Sequence, residues 1–430
     1  MITASSSTNL ASLVAAADAA SASGDRARAI HAWQGVLAAD PNNTRALNVI
    51  GNAMLHAGDA PGSRAYLERA VEGEPAQPAI WYNLALACTA AADALGALDA
   101  LNRALALDPY FVQALFERGR VLEGLGRLPA AAASFKAYLD CAGPQVQADP
   151  RLAMPMEHAR SVIGRNAEKL AGQVEVKLGP EAASTLSARI SEGLNAYLGR
   201  QPVYLQQPTF FTVPRLPAEP FFERSMFAWI EELEQATTVV LGELRDLVAH
   251  QSSADFAPYV ARPPGLPVNQ WGELNHSPRW GAFHLFNEGR KIEENCARCP
   301  QTTALLEGMP LNRIEGYSPN AFFSLLKPNT RIPAHTGVTN ARATVHLGLS
   351  TPEDCGFRVG AEVREWRSGR AWVFDDSIEH EAWNNSGADR IILIFDIWNP
   401  YLSDTECSQI ASIFESIDQH NGSSAAKDSH

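Results

Sequence analysis

Arg370-Ala-Trp-Val-Phe-Asp-Asp-Ser-Ile-Glu-His-Glu-Ala-Trp383 reads as a short apolar strand, Arg370–Phe374, that stops at two aspartates and then delivers a histidine. Working outward, Ala321–Leu326, Ala343–Leu349, Phe357–Val363 and Arg390–Trp398 are further β-branched and aromatic runs. Turn-rich pieces at Lys327–Thr330, Thr351–Cys355 and Asn384–Ala388 separate them. Short strands at such intervals predict two packed sheets, a sandwich or jelly roll, with an open mouth between them. The β-rich texture is expected over residues 201–417. A terminal helix closes it, with Ser403 and Glu406 as a capping box and Ile410, Ile413, Phe414 and Ile417 as its apolar stripe. Residues 418–430 read as a flexible polar tail.

The other end of the chain has a different period. Pro41, Pro75 and Pro109 are 34 residues apart, and each follows an acidic residue, Asp40, Glu74 and Asp108. Gly51, Ala85 and Gly119 keep the same spacing, as do Trp33, Leu67, Leu101 and Phe135. A small residue on one helix lets a large one on the next pack closely, and proline stops each unit. Residues 8–142 are therefore predicted to be stacked helix–turn–helix units that resemble the tetratricopeptide repeat. Such a stack offers a groove for a peptide or protein partner, or serves only as a spacer. Residues 143–200 lose the period and are expected to be a helical connector, with helices near 156–174 and 180–198.

Composition narrows the function classes. Apolar residues make up 46% and charged residues 19%, as in ordinary globular protein. The net charge of −13 argues against a nucleic-acid partner. No window is apolar enough for a membrane span, and the N-terminus lacks the basic and apolar regions of a secretory signal. The six cysteines, at 88, 141, 296, 299, 355 and 407, are too scattered for a disulfide framework, so a cytoplasmic location is expected. Cys296 and Cys299 have no second pair at zinc spacing and read as free thiols or a redox-sensitive pair.

Two histidines stand out: His335 in Pro333-Ala-His-Thr-Gly-Val-Thr-Asn340, and His380 in the opening stretch. Neutral imidazole is a good iron(II) ligand, although either histidine alone reads as structural. The stretch from Trp280 to Leu402 resembles the catalytic domain of the aspartyl/asparaginyl β-hydroxylase family. The matching pieces are His335-Thr-Gly-Val-Thr-Asn340, His346-Leu-Gly-Leu349, Phe374-Asp-Asp-Ser-Ile-Glu-His-Glu-Ala-Trp383 and Asp396-Ile-Trp-Asn-Pro400.

The resemblance implies a double-stranded β-helix of jelly-roll type, making the whole chain an α+β multidomain protein. It also implies an Fe(II)- and 2-oxoglutarate-dependent dioxygenase using O2, with His335 and His380 as the metal ligands and catalytic centre. Gly337 stands where most such oxygenases place a ligating carboxylate. The resemblance assigns Ser324, His346, Arg390 and Trp280 to 2-oxoglutarate. The family's animal enzymes carry arginine at the position of Thr344, and Arg342, on the same strand face, is expected to supply that charge. Asp375, Asp376 and Glu379 are expected to shape the turn that presents His380. The implied reaction is hydroxylation at the β-carbon of Asp or Asn in a peptide or protein. The alternatives are a lipid-linked acyl chain, a small metabolite, or a non-catalytic repeat protein.

Overall fold

The repeat period is written into helix ends. In the computed structural model, which describes residues 3–143, 149–250 and 256–421, eight helices fill the repeat region. They are α1 (Thr3–Ala22), α2 (Arg26–Ala39), α3 (Thr44–His56), α4 (Ala60–Gly73), α5 (Pro78–Ala90), α6 (Ala94–Leu107), α7 (Val112–Gly124) and α8 (Leu128–Cys141). Asp25, Asp59 and Asp93, also 34 residues apart, start α2, α4 and α6 by accepting from the backbone N–H three residues on. That satisfies one of the donors every helix start leaves open. At the fourth position, Arg127 makes no such cap. Asp40, Glu74 and Asp108 terminate α2, α4 and α6. Pro41, Pro75 and Pro109 lie in the turns after them, three residues ahead of the next helix rather than in its first turn.

The small residues do what close packing requires. A Cβ on Gly119 would meet the Phe135 ring at 2.7 Å, and one on Gly51 would meet Leu67 Cγ at 2.7 Å. Trp33, Leu67, Leu101 and Phe135 are all buried. Helix α9 (Ala153–Leu178) packs Met156, Ala159 and Val162 into the same core. Contacts divide the chain into two units, Met1–Ser187 and Ala188–His430. The expected connector is thus shared between them, and residues 144–148 lie outside the described residues.

The second unit opens with α10 (Ala188–Tyr197), and α11 (Thr237–His250), α12 (Pro300–Glu307) and α13 (Asp404–Asn421) flank its strands. The strands are β1 (Ala257–Pro258), β2 (Trp280–Asn287), β3 (Arg290–Lys291), β4 (Ala321–Leu326), β5 (Thr330–His335), β6 (Arg342–Ser350), β7 (Cys355–Val359), β8 (Glu362–Glu365), β9 (Ala371–Phe374), β10 (His380–Asn384) and β11 (Arg390–Trp398). One sheet runs β1-β2-β4-β11-β6-β9 with β3 on β2, and the other runs β5-β10-β7-β8. Every pairing is antiparallel. This is the two-sheet fold expected from the strand pattern. The run Phe357–Val363 is two strands, because Gly360 turns the chain at φ +56°.

Alternation sorts the large sheet's two faces. Phe323, Leu325, Val345, Leu347, Leu393 and Phe395 point outward, into a core shared with Leu244 of α11 and Leu306 of α12. Trp280, Ser324, His346, Ile392 and Asp396 point the other way, toward the space between the sheets. The capping box of α13 forms as expected, with Ser403 N–H donating to Glu406 Oε2 at 2.9 Å. The helix runs four residues past Ile417, to Asn421, and residues 422–430 lie outside the described residues.

Candidate active site

The two histidines meet because β5 and β10 are neighbours in the small sheet. His335 ends β5, His380 begins β10, and the two are register partners. Their ring centroids are 4.1 Å apart at 55°. Each ring is fixed by its own backbone: Nδ1 of His335 lies 2.8 Å from Pro333 O, and Nδ1 of His380 lies 2.9 Å from Ile378 O. A carbonyl beside Nδ1 demands a proton there, which leaves Nε2 of each ring with the lone pair. Burial lowers the pKa of His335 to about 3, helped by its neighbour His380. Burial likewise lowers His380 to about 4. Both imidazoles are neutral at physiological pH, the form that binds metal.

An extended segment that the sequence gave no reason to notice ties these loops together. Residues 206–213 run across both, with Gln207 N–H donating to Ser377 O and Thr209 N–H donating to Gly337 O. The Gln206 side chain spans the gap. Its Nε2 donates to Asp375 Oδ2 at 2.6 Å, and its Oε1 accepts from Asn340 Nδ2 at 3.0 Å. Asp375 shapes the turn before His380, as expected, by accepting from Ser377 N–H and Oγ–H. Burial raises the pKa of its carboxyl to about 6. The other two acids of the motif serve elsewhere: Asp376 pairs with Arg342 and Glu379 with Arg358.

Between the sheets lies a cavity of about 480 Å³ that both histidines line. Trp280, Ser324, His346 and Arg390 line it too, and Trp280 Nε1–H donates to Ser324 Oγ at 3.2 Å. Arg390 is 1% exposed, and its Nε and Nη1 have no hydrogen-bond partner. Its guanidinium sits 4.7 Å from the Trp366 ring centroid. Burial brings its pKa down to about 9, so it stays charged at neutral pH. His346 Nδ1 and Trp366 Nε1 are likewise buried without partners. A buried cation with open donors is costly unless an anion completes it. These donors fit the carboxylate of a small organic acid.

Arg342 and Thr344 face the same cavity. Arg342 Nη2 is 2.9 Å from Asp376 Oδ2, and its Nη1 is 3.5 Å from Asp396 Oδ2, so this guanidinium already holds two carboxylates. The structure therefore brings all seven expected site residues to one cavity, with Arg390 open and Arg342 engaged. Sequence reading missed Gln206, Trp366, Tyr259 and Trp271. Trp271 lies 4.9 Å from the His335 ring, and Tyr259 stacks on Trp280 at 4.1 Å. Aromatic density before Trp280 was the available signal. Cys296 and Cys299 are buried free thiols in the outer core, and burial pushes the Cys299 thiol up to about 12. Among the described residues, no cluster of three His, Cys, Asp or Glu side chains is placed to hold a metal.

Residues 241–400 match the family described as aspartyl/asparaginyl beta-hydroxylase. Residues 14–78, 55–110 and 90–146 match the tetratricopeptide repeat. Aspartate beta-hydroxylase domain-containing protein 2 of Xenopus tropicalis is 34% identical over 236 residues, covering 53% of this chain and 60% of the relative. Aspartyl/asparaginyl beta-hydroxylase of Mus musculus is 36% identical over 156 residues, 35% of this chain and 20% of the relative. Ornithine lipid ester-linked acyl 2-hydroxylase of Rhizobium tropici is 31% identical over 192 residues, 44% of this chain and 64% of the relative. The chain thus spans less than two thirds of the length of each of these relatives.

Proposed function

We propose that this chain, which carries an aspartyl/asparaginyl β-hydroxylase domain behind tetratricopeptide repeats, is an Fe(II)- and 2-oxoglutarate-dependent dioxygenase acting on a peptide or protein. The reaction assigned to it is hydroxylation at the β-carbon of Asp or Asn. The observation that carries the reading is the facing pair His335 and His380, neutral, backbone-fixed and 4.1 Å apart at their ring centroids.

The two Nε2 atoms would hold the metal. Iron bound there would couple the oxidative decarboxylation of 2-oxoglutarate by dioxygen to insertion of one oxygen atom into an unactivated C–H bond. The chain's own residues bind and orient. Arg390, with its open Nε and Nη1, would grip one carboxylate of 2-oxoglutarate, and Ser324 would add a hydroxyl donor. His346 stays neutral because burial, next to the Arg390 charge, lowers its pKa well below the usual value, so it adds no competing positive charge. Trp271, edge-on to His335 at 4.9 Å, and Trp280, tilted 6.5 Å from it, would exclude water from the reacting end.

The repeats favour a peptide or protein substrate, whose docking groove would lie in the first unit. A second reading, hydroxylation of a lipid-linked acyl chain, is favoured by the name of the Rhizobium relative. No helix among the described residues is long and apolar enough to cross a membrane. The test is succinate formation from 2-oxoglutarate by the full chain with added Fe(II), compared with His335→Ala. The reading expects a loss of at least about 100-fold, above the penalty usual for residues one shell further out. Equal succinate from both proteins would refute it. Peptides captured by the chain and gaining one oxygen would support the protein substrate; an acyl lipid gaining it instead would support the second reading.

A further inference from the structure

Gly337, two residues past His335, has no side chain, yet the space beside it is filled. A Cβ built there would lie 2.3 Å from Asp376 Oδ2, 2.4 Å from its Cγ and 2.7 Å from its Oδ1. A carboxylate therefore stands where a side chain at this position would begin. It comes from the other histidine's loop, four residues before His380. Gly337 N–H donates to the Asp376 carbonyl at 2.6 Å, which locks the two loops at this point.

What holds the carboxylate there is Arg342. Its Nη2 and Nε donate to Asp376 Oδ2 at 2.9 and 3.2 Å. Its Nη1 reaches Asp396 Oδ2 at 3.5 Å, and that oxygen also accepts from Asn320 N–H at 3.0 Å. Asp376 Oδ1 is buried and has no partner. One cation thus serves two buried carboxylates, and one of their oxygens is left over. A buried carboxylate that loses its partner must find another positive charge or take up a proton.

We propose that Arg342 is a positioning residue that keeps this a two-histidine site: by holding Asp376 Oδ2 it keeps that carboxylate from turning onto the ion. The inference rests on the reading of His335 and His380 as metal ligands. Without the guanidinium, a divalent ion at the imidazoles would supply Asp376 with a counter-charge, since the Asp376 charge already acts on His335. The carboxylate then becomes a third ligand and the ion is held more tightly. The natural arrangement trades metal retention for an open coordination position.

The test is Mn(II) binding to the full chain, measured by calorimetry without 2-oxoglutarate. Arg342→Met is expected to bind Mn(II) at least about tenfold more tightly, and adding Asp376→Asn is expected to abolish the gain. Arg342→Lys, which keeps the charge, is expected to stay near wild type, a rescue that loss of packing would not produce. Arg342→Gln is the second arm should Arg342→Met not fold, with the same tightening expected. A folded Arg342→Met or Arg342→Gln protein that binds Mn(II) no better than wild type overturns the proposal, as does a gain that survives Asp376→Asn. His335→Ala separates the two levels: if it binds Mn(II) as wild type does, the two-histidine reading itself is wrong, whatever Arg342 does.

Discussion

In the repeat unit the buried side-chain atoms without a partner, among the described residues, are two hydroxyls, Ser63 Oγ and Ser134 Oγ. In the β unit they come from Arg262, His284, Tyr317, His346, Trp366, Trp372, Asp376 and Arg390. All but Tyr317 and Trp372 line the one cavity that holds the histidine pair. The repeat unit satisfies its backbone within helices and buries alanine, leucine and aromatic rings, so each residue helps stability directly. The β unit buries polar groups that no other part of the described chain completes. The difference marks where folding and function compete, since unsatisfied buried polarity is tolerated chiefly where a ligand completes it.

Acid should separate the stabilities of the two units most strongly. The pKa values of His335 and His380, about 3 and about 4, lie below the ~6.5 of an unfolded chain. The unfolded state therefore binds more protons below that value. Stability from this source is complete above about pH 6.5 and is lost as pH falls toward 4. By pH 5 the two histidines should cost the metal-free protein several kcal/mol, on the order of 1.4 kcal/mol per proton per pH unit, partly offset by Asp375, whose raised carboxyl takes up its proton earlier in the folded state. Denaturant midpoints at pH 7 and 5 would read this, and the double variant His335→Asn/His380→Asn should flatten the dependence. An equal acid response in that variant would break the comparison.

Truncation in the repeat core comes next. Leu67→Ala removes a fully buried side chain that also fills the space over Gly51. It should cost roughly 2–5 kcal/mol, read as an earlier loss of helical circular dichroism. Succinate formation uncoupled from any protein substrate should stay near wild type if the units do separate jobs.

Arg390→Met sharpens the contrast from the other side. Removing an unpaired buried cation should raise the melting temperature of the ligand-free protein. The KM for 2-oxoglutarate should rise by roughly 10–100-fold, the worth of a charge-assisted grip of about 1.5–3 kcal/mol. A lower melting temperature with an unchanged KM would mean that Arg390 is only structural. The smallest effect belongs to the caps: Asp59→Ala should cost about 1 kcal/mol in the helical transition. Arg127→Ala, at the matching position without a cap bond, should cost less.

Legibility followed the same division. The repeats were readable because stacking forces identical residues to recur, so Leu67 and Leu101 announce each other across 34 positions. The caps Asp25, Asp59 and Asp93 recur just as strictly and were overlooked, because aspartate is common on any surface. In the β unit the strands with apolar faces were legible: Ala321–Leu326 is β4 as read, and Arg390–Trp398 is β11. The two strands that carry the metal-binding candidates were not. Thr330-Arg-Ile-Pro-Ala-His335 has a proline and an exposed arginine, and His380-Glu-Ala-Trp-Asn384 buries His380 and Asn384 beside Ala382 while Trp383 sits with Glu381 on the other face, so neither strand shows an apolar alternation. The helices Ile230–Gln235 and Thr237–His250 were also hidden in a region expected to be β-rich. The engagement of Arg342 by Asp376 and Asp396 could not be read, since strand alternation gives a face but not a partner.

Anaerobic titration of the full chain with Fe(II) and 2-oxoglutarate, followed by visible charge-transfer absorption, addresses the histidine pair without needing the final substrate. One chromophore per chain, absent in both His335→Ala and His380→Ala, is the predicted result. Absorption that persists in either variant, or none in the folded wild-type chain, would contradict the claim that these two imidazoles share one iron.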